Sequence, residues 1–186
     1  MNASIDVTNI RIETERLVLR PWHLEDLEDF FEYASVEGVG QMAGWLPHEN
    51  REKSLQILEL FIREKKTFAL ELKESHKVIG SLGLEPREAD PSIPGNLMGR
   101  EIGYVLSRDY WGRGLMPEAV KAVMDYCFSV LKFDYLACGH FAWNSQSRRV
   151  IEKCGFAYLK DIEFETRMHT MEPTRLYILY NPNTKR

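Results

Sequence analysis

The chain has 186 residues, 44% hydrophobic and 28% charged, with a formal net charge of −4. Such a length predicts a single domain with a structured core over about 10–180. The acidic balance argues against a nucleic-acid partner, and no apolar run approaches the ~20 residues that span a bilayer, so no membrane partner is expected either.

Residues 1–9 and 181–186 read as loose ends. RLVLR (16–20) alternates polar and apolar and predicts a strand that Pro21 ends. Over 24–35, Leu24, Leu27, Phe30, Phe31 and Ala34 share one helical face. The Gly-rich stretch 38–50, GVGQMAGWLPHEN, reads as a loop. A second helix over 51–65 carries Leu55, Leu58, Phe61 and Ile62 as its stripe. Segments 67–73 and 77–86 read as a hairpin, 87–99 as a long loop holding Pro91 and Pro94, and 100–107 as a strand. The clearest helix follows, with Val120, Val123, Met124, Cys127, Val130 and Leu131 at helical spacing. A strand over 134–142, a short helix from Ser145 and strands near 156–164 and 174–180 complete the order β α α β β β α β α β β. This is an α/β (α+β) pattern: a mixed central sheet with a parallel β-α-β crossover around the clear helix.

The crossover contains the most informative stretch, DYWGRGLMPEAVKAV (109–123). Gly112-Arg113-Gly114 lies between a strand and a helix. A helix N-terminus presents unpaired N–H groups and partial positive charge, and small residues let the backbone close around an anion. Pro117 suits the first helical turn. A structural turn and a phosphate cradle both fit this segment alone. The spacing matches neither GxGxxG nor GxxxxGK[ST]. A second segment, WNSQSRRVIEKCGF (143–156), has Asn144 and Ser147 at a helix start and Gly155 at its end, as capping requires. Cys127, Cys138 and Cys154 form no CxxC pair and the five histidines show no ligand spacing. These patterns point to a reducing, cytoplasmic setting and to no metal.

Together, ETERLVLRPW (13–22), EIGYVLSRDYWGRGLMPEA and NSQSRRVIEKCGF resemble the GNAT acetyltransferase superfamily over nearly the whole chain. The similar branch contains ribosomal-protein N-terminal acetyltransferases and bacterial small-amine acetyltransferases. The resemblance implies a GNAT fold of about seven strands and acetyl-CoA as cosubstrate. Its acceptor would be an amine, either a protein or peptide N-terminal α-amine or a small molecule, and homodimers are common in the branch. Trp111, Gly112, Arg113, Gly114, Leu115 and Met116 would cradle the pyrophosphate, with Met116 a bulky departure from the usual Gly or Ala. The pantetheine arm would run along Tyr104, Val105 and Leu106 and meet Asn144. Arg148 and Arg149 would be candidates for the 3′-phosphate. The usual tyrosine of the late helix is replaced by Ile151; the branch often carries a serine earlier on that helix, which Ser147 matches, so the resemblance implies Ser147 as proton donor or thiolate stabiliser. Glu101 would be the general base, with Glu85 as competitor. Trp45, His48, Glu163 and Glu165 would lie near the acceptor, and the 87–99 loop would shape its pocket. An acyl-CoA-binding protein without transferase activity is the alternative that the missing tyrosine leaves open.

Overall fold

A computed structural model describes residues 1–184. Within them the strands are β1 (Ile12–Glu13), β2 (Leu17–Arg20), β3 (Thr67–Leu72), β4 (Lys77–Glu85), β5 (Gly99–Leu106), β6 (Tyr135–Phe141), β7 (Ala157–Glu165) and β8 (Met171–Tyr180). The helices are α1 (Leu27–Ala34), α2 (Arg51–Glu64), α3 (Leu115–Ser129) and α4 (Ser145–Lys153). One eight-stranded sheet runs β1-β2-β3-β4-β5-β6-β8-β7. The strand beyond the expected set is β1, whose two residues are too few to show any alternation.

The alternation along each strand divides the core into two layers. Leu17, Leu19, Leu70, Leu82, Ile102 and Leu136 face α3, where Val120, Val123 and Cys127 meet them. Ala69 and Val78 face the other way, against Trp22, Phe30 and Tyr33 and against Leu58 of α2. Three stripe assignments fail toward helix ends: Val130 is 57% exposed because α3 stops at Ser129, Leu24 is 55% exposed because it precedes α1 in a 3₁₀ turn, and Ile62 is 37% exposed near the end of α2.

The N-terminal segment is not loose. Ala3 and Val7 are buried, Ala3 N–H donates to Gly99 O, and the terminal amine donates to Leu97 O at 2.7 Å. At the other end Asn181 is also buried, while positions 185 and 186 lie outside the described residues. The 87–99 loop packs Ile93 against Tyr135, Ala137 and Ile178 at the foot of β6 and β8. It is braced there by Arg87–Asp90 and Lys160–Asp90 ion pairs, so it lies away from the clefts described below.

The sheet opens in one place. Strands β5 and β6 pair in parallel only from Gly99 with Tyr135 to Ile102 with Cys138. Beyond that β5 continues to Leu106 and β6 to Phe141 without pairing. Ser107 N–H donates to Ile79 O, so the antiparallel alternation turns the backbone groups of Tyr104 and Leu106 toward the gap.

Candidate active site

A cleft fills this gap. It is walled by Tyr104–Leu106 of β5, by the loop 110–112 and the start of α3 from Gly114, and by Asn144, Ser147, Arg149 and Val150. Gly112 and Gly114 both have φ +76°, a left-handed conformation that side chains with a Cβ adopt at a cost. Gly114 is the N-cap of α3, and no side chain caps that end. The first-turn N–H groups are therefore left for an external acceptor, and the residues present fit a diphosphate. Met116 is 5% exposed and packs in the core facing the sheet, and it also contributes to the cleft lining.

The flanking residues divide into those that reach the cleft and those that do not. Trp111 donates its indole N–H to Leu106 O at 2.8 Å, occupying one carbonyl of the open edge and closing the end of β5. Arg113 stacks over the Tyr110 ring at 5.2 Å, outside the lining. Arg148 is held by Glu152 one turn along α4. Arg149 and Lys153, spaced to share a helical face, both line the cleft and have no ion-pair partner among the described residues. Lys153 carried no distinguishing mark in the sequence beyond that spacing.

Asn144 is 4% exposed and caps α4: its Oδ1 accepts from Ser147 N–H at 3.0 Å and its Nδ2 donates to Met42 O at 3.2 Å. The hydroxyl of Ser147 is 2.8 Å from the hydroxyl of Tyr104, which also lies 3.2 Å from Ser147 O. Burial pushes the Tyr104 phenol well above its ordinary range, so it stays protonated. Both side chains line the cleft. The sequence pointed to Tyr104 only for its backbone; its hydroxyl supplies a phenol beside Ser147 from β5 instead of α4.

Glu101 lies lower on β5, where Arg87 holds it at 2.6 Å. Burial raises its carboxyl above the ordinary value while Arg87 opposes that shift. It lines neither cleft, and neither does Glu85, which pairs with Lys66 at 2.6 Å.

A second cavity opens on the α1–α2 face, and Val105 lines both it and the first. Phe30, Trp45, His48, Phe61 and Ser81 form its inner wall, and Glu49, Glu52, Lys53 and Arg167 surround it. His48 packs edge-on against Phe30, and its Nδ1 is 2.7 Å from Ser54 Oγ. Burial lowers the imidazole to about 4, with Lys53 adding to the shift, so it is neutral at neutral pH. Arg167 N–H donates to Gly44 O, tying the β7–β8 hairpin to the α1–α2 connection. Glu163 and Glu165 stand on the exposed outer strand β7 and do not line the cavity.

Residues 16–157 match the family model described as an acetyltransferase (GNAT) domain. The chain belongs to the GNAT acetyltransferase family. It is thus an acetyl-CoA-dependent acetyltransferase. A curated relative, the uncharacterised N-acetyltransferase YoaA of Bacillus subtilis, is 27% identical over 150 residues, 78% of this chain and 81% of that protein. The ribosomal-protein-S5-alanine acetyltransferase of Vibrio fischeri superposes with a TM-score of 0.72 at 20% identity, covering 96% of this chain and 100% of that one. The microcin C7 self-immunity acetyltransferase MccE, solved with acetyl-CoA and AMP, gives 0.72 at 16% identity over 90% of this chain and 93% of its own. No helix among the described residues is long and apolar enough to cross a membrane, and none of their His, Cys, Asp and Glu side chains cluster as a metal site.

Proposed function

We propose that this GNAT protein transfers the acetyl group of acetyl-CoA to a primary amine by direct attack in a ternary complex. The observation that carries the reading is that two cavities share Val105 in their walls, one ending in the Gly112–Gly114 cradle and one walled by aromatic rings. Acetyl-CoA lying along β5 would place its pyrophosphate on residues 111–116 and its 3′-phosphate near Arg149 and Lys153. The thioester would then lie beside Val105, and an amine in the second cavity would face it.

The chemistry needs a deprotonated amine, a polarised carbonyl and a stabilised thiolate. The Tyr104–Ser147 pair meets the last need. In this reading Tyr104 O–H donates to Ser147 Oγ, which frees the Ser147 proton for the departing sulfur. Glu101 is the proposed base; its distance down the strand requires a water relay to the amine. The hairpin tied to Gly44 supports an acceptor that enters end-on, either a small amine or the first residue of a peptide. Amine-dependent release of free CoA thiol tests the reading, with peptides and small amines as separate arms. Tight acetyl-CoA binding without amine-dependent release from either arm would reduce the protein to an acyl-CoA binder.

A further inference from the structure

The ETER stretch at residues 13–16 marks the family, yet it lies outside both cavities. Two of its residues, Thr14 and Arg16, converge on Glu118 in the first turn of α3. Thr14 Oγ1 donates to Glu118 Oε1 at 2.6 Å, Arg16 N–H donates to the same oxygen at 2.9 Å, and Arg16 Nε donates to Oε2 at 2.8 Å. Arg16 Nη2 lies 2.7 Å from that oxygen as well, and its Nη1 donates to Arg113 O at 2.9 Å.

Two consequences follow. The Arg113 carbonyl and the Gly114 N–H belong to one planar trans peptide, so they point in opposite directions. Holding the carbonyl on Arg16 turns the Gly114 N–H away from Arg16, on the side where Gly114 lines the cleft. The Glu118 carboxylate would otherwise be an uncompensated negative charge near an anion site, and the guanidinium neutralises it there.

We infer that Arg16 and Glu118 form a clamp that positions the Gly112–Gly114 loop for the pyrophosphate of acetyl-CoA; Arg16 is a positioning residue and touches no reacting atom. This rests on the acetyl-CoA reading above. The test measures dissociation constants of acetyl-CoA and of S-acetylpantetheine, which lacks the pyrophosphate, for wild type, Arg16→Ala and Arg16→Lys. Arg16→Ala should weaken acetyl-CoA about tenfold, the scale of one lost charge-assisted interaction, and leave S-acetylpantetheine within about twofold. Arg16→Lys keeps the charge but not the fork, and should fall between; it also serves if the alanine variant does not fold. Equal losses for both ligands would reduce the clamp to general fold support, and unchanged acetyl-CoA affinity would overturn it. A wild type that binds S-acetylpantetheine as tightly as acetyl-CoA would overturn the pyrophosphate cradle itself.

Discussion

Gly114→Ala separates backbone strain from ligand recognition. A Cβ at Gly114 would meet only the Arg16 guanidinium, at 3.7 Å, so the folded protein has room for the methyl group. The cost to the fold is conformational: at φ +76° alanine is less stable than glycine by about 1–2 kcal/mol. For a domain of this size that lowers the melting temperature by roughly 2–4 °C per kcal/mol. The effect on binding should be larger: the methyl group lies on the Arg16 side, and relief of the left-handed strain rotates the Gly114 peptide whose N–H has to face the pyrophosphate. Losing about two charge-assisted N–H contacts corresponds to ~3 kcal/mol, or roughly a hundredfold in affinity. Gly155→Ala is the control. Gly155 has φ +83° with nothing within 4 Å of the added Cβ, and it lies outside the cleft lining. Both variants should melt lower by similar amounts, while calorimetric titration with acetyl-CoA should show the binding loss only in Gly114→Ala. The reasoning is refuted if Gly114→Ala binds within about threefold of wild type, or if both variants lose affinity equally.

Other consequences can be checked independently. Tyr104→Phe and Ser147→Ala should each slow thiol release about tenfold or more with acetyl-CoA affinity little changed, the scale of a lost proton-transfer partner. The double variant should be little worse than either single one, and additive losses would mean that the two hydroxyls act separately. Arg149→Ala with Lys153→Ala should weaken acetyl-CoA but not 3′-dephospho-CoA in competition binding; equal weakening of both would move the 3′-phosphate elsewhere. Because folding lowers His48 to about 4, the unfolded chain binds a proton that the folded chain refuses as pH falls below the ordinary imidazole value. That group should remove about 2 kcal/mol of stability between about pH 7 and pH 5, and the loss should vanish in His48→Gln on urea denaturation.

The sequence was most informative where a pattern is local. Strand alternation and the apolar stripe of α3 marked the β-α-β core, and the glycines at 112 and 114 marked the turn that enters it. What it did not carry was pairing across the fold. Tyr104 and Ser147 are 43 residues apart, and only the splaying of β5 from β6 brings their hydroxyls together. Thr14 reaches Glu118 across 104 residues because β1 and β2 lie beside the start of α3. Ser54, a polar residue on α2, is fully buried because its hydroxyl meets His48, whereas Ile62 on the expected stripe is 37% exposed. The N-terminal nine residues look polar and unpatterned, yet their order comes from backbone bonds to Gly99, which no side-chain pattern records.

The most direct test is thermal unfolding of the wild-type protein with and without acetyl-CoA. At about 100 times its dissociation constant the ligand should stabilise the fold by ~2.7 kcal/mol, a rise of several degrees. A melting temperature unmoved at millimolar acetyl-CoA would contradict the cleft assignment and the transferase mechanism built on it.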